Sequence, residues 1–156
     1  MIRMMSVLVA VAIAIAVSAP ALATGDLDPA SAKMLKGYVL SMDKIKALQT
    51  AVIDFNKAAA SDPSVSAGSG GNAMTIAQSE AQLKANPKAF AIFQRHGLNA
   101  DDACMLLIVL INAQMAASSP DMAKSFADRT SPQQIAFYKQ HQAEIANLKF
   151  TPGSPK

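Results

Sequence analysis

Three side chains near the C-terminus have the residue types and spacing that acid–base chemistry needs. Tyr138, His141 and Glu144 recur every three residues, so they would share one face of a helix. A histidine beside a carboxylate can act as a general base or as a metal ligand. One carboxylate does not make a site, however, and the pattern is more typical of a histidine at the edge of a hydrophobic core.

Two amides, Asn112 and Gln114, interrupt an otherwise apolar stretch. Polar groups inside an apolar helix need hydrogen-bond partners, which another helix, solvent at the last turn or a bound ligand can supply. Ligand binding would make them lining residues that orient a polar head group. The ligand-binding residues that the sequence predicts are Tyr38, Met42, Ile108, Asn112, Gln114 and His141.

Neither a metal site nor a cofactor site is indicated. The chain has two His and one Cys, too few for a structural zinc site, and it lacks the Cys-x-x-Cys-His motif of covalent haem attachment. The Met residues are dispersed along the chain and are interpreted as flexible core residues. Cys104 lies inside the apolar stretch, so we expect it to be buried and unreactive.

The element that must position Ile108, Asn112 and Gln114 is the stretch Ala103–Ala117. Its residues are all apolar as far as Ile111, and no charge follows until Asp121. A helix that is apolar all round belongs in a core or a membrane, and this one is shorter than the roughly 20 residues of a spanning helix. It is also too long for a buried strand. Asn99 is the predicted N-cap, and the acidic residues 101–102 complement the helix dipole.

Further helix starts are indicated by Asp28-Pro29, Asn86-Pro87 and Ser131-Pro132, each a capping residue followed by Pro at the first helical position. Apolar residues spaced by three or four from Leu35 to Ala59 predict one long helix, with Gly37 inside it at a close helix crossing. The predicted fold is all-α, a single-domain bundle of four to six helices around the central apolar helix.

The first residues have the form of a cleavable signal peptide. Arg3 precedes an apolar run, and Ala21-Leu22-Ala23 has the small-x-small form of a cleavage site; an uncleaved anchor is the alternative. The predicted organisation is a signal peptide at 1–23, a helical domain at 24–150 with a flexible Gly/Ser loop at 61–72, and a disordered tail at 151–156. We expect export to the periplasm and no stable membrane span after cleavage.

Charge and aromatic content limit the classes of partner that the chain is expected to bind. Without Arg3 the chain has 13 basic and 11 acidic side chains, and it has no Trp. So small a positive excess indicates neither nucleic acid nor an anionic surface as a partner.

Three groups of residues carry a resemblance to a known group. They are Tyr38-x-x-x-Met42, Phe90-x-x-Phe93-x-Arg95-His96-Gly97-Leu98, and Ser131-Pro132-x-x-Ile135-Ala136-Phe137-x-x-x-His141-x-x-Glu144-Ile145. In these residues the chain resembles an uncharacterised group of small secreted proteobacterial all-helical proteins, and no activity comes with that resemblance. Ser131-Pro132-Gln133-Gln134 is also similar to half of the motif pair of the Spy group of periplasmic chaperones; the second copy is missing here.

The sequence therefore predicts an exported, periplasmic, non-enzymatic helical protein. Its expected partner is a hydrophobic small molecule or another protein of the cell envelope. The alternatives are an enzyme that uses His141, Glu144 and Tyr138, and a Spy-like periplasmic chaperone.

Overall fold

The computed structural model describes residues 27–66 and 75–148, which form seven α-helices and no strand. The helices are α1 (Pro29–Gly37), α2 (Met42–Ser61), α3 (Ile76–Ala85), α4 (Pro87–Arg95), α5 (Ala100–Ser118), α6 (Pro120–Ser125) and α7 (Pro132–Ala146). The predicted all-α, single-domain bundle is confirmed, with seven helices where four to six are predicted. The predicted signal peptide, residues 1–23, and tail, residues 151–156, lie outside the described residues.

Local capping signals set where the helices begin. The side chains of Asp28, Asn86, Asn99 and Ser131 each accept a hydrogen bond from the backbone N–H three residues further on. Pro occupies the first helical position of α1, α4 and α7, where its missing N–H costs nothing. All four starts are those that the sequence predicts, so these boundaries depend on local chemistry.

Helix α5 is the centre of the bundle and contacts each of the other six helices. The side chains of Leu106, Ile108 and Val109 are at most 1% exposed. By length and composition α5 is the one helix among the described residues that could cross a membrane, but 72% of its apolar window is buried inside the protein. Burial on all sides is what an apolar helix without a polar face requires, and the predicted core helix is confirmed.

The single long helix predicted for the N-terminal half is wrong, because the structure contains two helices there. Helix α1 ends at Gly37, the backbone at Tyr38 is extended, and α2 begins after Ser41. The Ser41 hydroxyl oxygen accepts a hydrogen bond from the Lys44 N–H at 3.3 Å and so caps the new helix. Gly37 marks a helix end and no close crossing, since a Cβ at this position would meet nothing within 4 Å.

The first residues of the predicted Gly/Ser loop fold onto the core. Pro63–Val65 form a 3₁₀ turn, and the Val65 side chain is 4% exposed. The Asn86 side-chain amide donates to the Ser64 and Val65 carbonyl oxygens at 3.0 and 3.1 Å, which ties this turn to the start of α4. Residues 67–72 of the predicted loop lie outside the described residues.

Candidate ligand-binding site

A buried carboxylate, Asp102, forms the centre of a polar network that joins α2, α5 and the segment after α1. Its backbone N–H donates to the Asn99 side chain at 2.8 Å, and its own Oδ2 accepts from the Asn99 N–H at 3.2 Å. This reciprocal pair is a capping box at the start of α5. The other oxygen, Oδ1, accepts hydrogen bonds from the Tyr38 hydroxyl and the Lys44 ammonium, both at 2.6 Å.

These hydrogen bonds decide the ionisation of the group. Burial opposes charge on Asp102, which is 3% exposed, but donation from Lys44, Tyr38 and the Asn99 N–H outweighs burial and holds the carboxyl pKa below its usual 3.8. Burial, and then the hydrogen bond to Asp102, raise the pKa of the Tyr38 hydroxyl. At neutral pH the pair is therefore a carboxylate and a protonated phenol, so Tyr38 acts as a hydrogen-bond donor and not as a base.

Tyr38 reaches Asp102 because the segment between α1 and α2 is fixed from the other side. The side-chain amide of Gln134 donates to the carbonyl oxygens of Leu35 and Tyr38, each at 2.8 Å. The Gln134 Oε1 accepts from the Ser131 N–H at 2.8 Å as part of the α7 capping box. Gln134 is 2% exposed, so one buried side chain caps α7 and also satisfies carbonyl groups at the end of α1.

An open cleft of about 660 Å³ lies beside this network, between α1 and the start of α5. Its lining combines the polar residues Lys33, Tyr38, Lys44, Asp101 and Asp102 with the apolar residues Met34, Val39 and Met105. A smaller cleft of about 420 Å³ shares Tyr38 and Val39 and extends towards α7. Val39 is 77% exposed and lines both clefts. The volume of the larger cleft lies within the range typical of small-molecule sites.

The six residues predicted to bind a ligand are placed in different parts of the bundle. Tyr38 alone of them lines the two clefts. Ile108 is buried in the core, and Met42 packs against that core. Gln114 is exposed, as expected for the outward-facing last turn of α5. His141 is partly buried on α7.

Asn112 is fully buried, and neither atom of its side-chain amide has a hydrogen-bond partner among the described residues. The predicted alternative of a hydrogen bond to another helix is therefore not realised within the described part of the chain. Asn112 does not line the two clefts either. Burial of this amide therefore removes its hydrogen bonds to water without replacing them by bonds to other described residues, which destabilises the fold.

The second group, His141 with Glu144 and Tyr138, is already engaged in packing and ion pairing. His141 Nδ1 lies 3.7 Å from Glu144 Oε2, and its ring lies 4.6 Å from that of Phe137. The Glu144 carboxylate also pairs with the Lys46 ammonium at 2.7 Å, and this contact lowers the carboxyl pKa. Tyr138 is buried, which raises its hydroxyl pKa. None of the three residues lines the two clefts.

Cys104 is 3% exposed, as predicted, and burial raises its thiol pKa to about 12, so the reactive thiolate is suppressed. Within residues 27–66 and 75–148, no group of three or more His, Cys, Asp or Glu residues is arranged to hold a metal ion.

Sequence reasoning missed the central role of Asp102 and its partner Lys44. The spacing Asn99-x-x-Asp102 is that of a capping box, which would have drawn attention to the second aspartate. Nothing local distinguishes Lys44 from the other lysines of α2, because its pairing with Asp102 joins residues far apart in the chain.

Comparison with protein-family models, curated proteins and solved structures finds no match for this chain. The fold and the cleft define it as an all-α helical bundle with an open polar–apolar cleft at the start of its central helix.

Proposed function

We propose that the protein is an exported, periplasmic, non-enzymatic binding protein whose cleft at the start of α5 takes a small molecule with an apolar part. The observation that carries this proposal is the cleft of about 660 Å³ in which exposed Val39 and partly buried Met34 lie beside the buried Asp102 network. A few fixed polar groups within an apolar lining are typical of small-molecule sites.

Surface composition favours a small molecule over a protein client. Among the described residues, Val39 and Met115 are the two large hydrophobic side chains that are exposed. A chaperone or a stable protein partner would be expected to contact a larger apolar patch. The smaller cleft of about 420 Å³ continues from Val39 towards α7.

The geometry also favours binding over catalysis. The acid–base candidates His141 and Glu144 lie outside the cleft, and the Glu144 carboxylate is paired with Lys46. In the cleft itself, Tyr38 is held protonated and Asp102 is held ionised, with its oxygens occupied by donors. Groups held in this way orient a ligand but do not exchange protons with it near neutral pH.

The test is saturable binding of the neutral apolar dye Nile red, measured by its fluorescence with the purified protein. A ligand of about 20 non-hydrogen atoms that gains roughly 0.3 kcal/mol per atom binds with about 6 kcal/mol, or a dissociation constant of tens of micromolar. Because Val39 lines the cleft and is exposed, Val39→Asn should weaken binding about fivefold without unfolding the protein.

Met115→Asn is the matched control, since Met115 is the other exposed large hydrophobic residue and lies outside both clefts. It should leave dye binding unchanged. Equal effects of the two substitutions, or dye binding that does not saturate, would show that the cleft is not the site.

The location part of the proposal rests on Arg3, the apolar run after it and Ala21-Leu22-Ala23. N-terminal sequencing of protein recovered from the periplasm should begin at Thr24. Recovery of chains that begin at Met1 in a membrane fraction would contradict cleavage and would favour the anchor.

A further inference from the structure

Charged side chains of both signs line the cleft, and they differ in how far the protein already uses them. The Asp102 carboxylate accepts hydrogen bonds from Tyr38, Lys44 and the Asn99 N–H, so its capacity is largely filled. Lys44 gives one hydrogen bond to Asp102, and its side chain is 42% exposed. An ammonium group has three donors, so two remain available to a ligand.

Lys33 and Asp101 are the cleft charges that form no ion pair with the described residues, although the Asp101 carboxylate also faces the side chain of Glu80, and burial and this contact together raise the pKa of that carboxyl group. Both residues are exposed, and neither takes part in an ion pair within the described residues. The Asp101 charge contributes to the raised pKa of the Tyr38 hydroxyl, so this carboxylate lies near the same wall of the cleft. The cleft thus offers cationic donors on one part of its lining and an anionic acceptor on another.

The apolar part of the lining comes from both sides of the cleft. Met34 belongs to α1, Val39 to the segment after it, and Met105 to the second turn of α5. Two of the three are methionines, whose unbranched side chains adapt to ligands of different shape. An apolar group of the ligand can lie against these residues while its polar groups stay near the charges.

We infer that the cleft recognises a zwitterionic small molecule with an apolar side chain, the chemistry of a hydrophobic amino acid or dipeptide. Lys33 and Lys44 would receive the carboxylate, Asp101 would receive the ammonium group, and the methionines with Val39 would contact the side chain. This inference rests on the proposed function, because it names the ligand class of the same cleft. A simple anion would be opposed by Asp101, and a simple cation by the two lysines.

The experiment is calorimetric titration of the protein with three matched probes. L-Phenylalanine carries both charges, 3-phenylpropionate carries only the carboxylate, and 2-phenylethylamine carries only the ammonium group. L-Phenylalanine should bind about three- to tenfold more tightly than either analogue, because each partly exposed charge pair adds a modest amount.

Three variants assign the charges. Lys33→Gln should weaken phenylalanine and phenylpropionate but not phenylethylamine, and Asp101→Asn should weaken phenylalanine and phenylethylamine but not phenylpropionate. Lys57→Gln, an exposed lysine of α2 outside the cleft, should change nothing. Thermal melts of all three variants check that they remain folded.

The outcomes separate this inference from the proposed function. If Nile red binds but phenylalanine binds no better than its analogues, the inference of a zwitterionic ligand is wrong, and the proposed binding of apolar molecules in the cleft is retained. If neither the dye nor phenylalanine binds saturably, both proposals fail. Discrimination among the probes that survives Lys33→Gln and Asp101→Asn together would also overturn the assignment of these residues.

Discussion

Replacement of Asp102 by Ala tests whether the polar network at the start of α5 stabilises the fold. The substitution removes the acceptor for the Tyr38 hydroxyl, the Lys44 ammonium and the Asn99 N–H. The Lys44 side chain is 42% exposed, so water can solvate its ammonium group in the variant and the loss of its ion pair costs little. Tyr38 is half-buried, and losing its charge-assisted bond costs about 1.5–3 kcal/mol, while the lost half of the capping box costs about 0.5–1 kcal/mol.

The expected total is therefore a destabilisation of about 2–4 kcal/mol. The variant also no longer buries a charged carboxylate, and this gain offsets part of the loss. Asp102→Asn keeps an acceptor oxygen and should cost about half as much. Asp43→Asn is the matched control, because Asp43 is an exposed aspartate in the first turn of α2, and it should stay within about 0.5 kcal/mol of the parent.

The assay is urea denaturation followed by circular dichroism, with unchanged m-values as the check on two-state unfolding. The pH dependence gives a second test. Because the folded-state pKa of Asp102 is lowered, its stabilisation is complete above the usual value of 3.8 and is lost as the pH falls below it. The difference in the free energy of unfolding between the parent and Asp102→Asn should therefore become smaller below about pH 4. A stability of Asp102→Ala equal to that of the Asp43→Asn control, or a difference in stability between the parent and Asp102→Asn that does not depend on pH, would refute the reasoning.

Four further outcomes follow from burial. Asn112→Leu should raise the free energy of unfolding by about 1–2 kcal/mol, because it removes a buried amide that has no partner in the described part of the chain; a loss of stability would mean that the amide is satisfied. Burial and the nearby Asp101 raise the Glu80 carboxyl pKa, so Glu80→Gln should stabilise the protein at pH 7, with a gain that disappears below about pH 4.5 in urea titrations. Ile108→Asp should prevent folding, whereas Ile108→Val should cost about 0.5–1.5 kcal/mol, both by circular dichroism. His141→Gln should lower the free energy of unfolding by about 1 kcal/mol or less and leave Nile red binding unchanged. Loss of dye binding without loss of stability would instead favour the alternative that His141 belongs to an enzyme site.

The parts of the fold that sequence reasoning predicts are those fixed by local chemistry. Caps such as Asn99 and Ser131 act on backbone N–H groups three residues away, so their signal is visible within one turn. The central helix is predicted because its apolar run leaves no face for solvent. Burial of Cys104 follows from the same run.

The break between α1 and α2 is not predicted, because the apolar spacing continues across it. Tyr38 and Met42 lie four residues apart, as neighbours on a helix would, although Tyr38 belongs to the extended segment and Met42 begins α2. The carbonyl groups at the end of α1 are satisfied by Gln134, a residue 96 or more positions away. A pattern within one segment contains no trace of such a partner.

The two buried polar residues of α5 show why its cleft lies at the helix start. Asp102 is in the first turn, where backbone N–H groups lack intrahelical partners and where Tyr38 and Lys44 approach from the preceding elements. Asn112 is in the middle, where the backbone groups are already paired along the helix and the neighbouring core is apolar. Its side-chain amide has no hydrogen-bond partner among residues 27–66 and 75–148. A charge can be buried only where donors converge, and in this bundle they converge on Asp102 at the start of the central helix. The same convergence brings polar and apolar groups together at an opening, so binding is expected beside Asp102 and not beside Asn112, the residue at which the apolar run itself is interrupted.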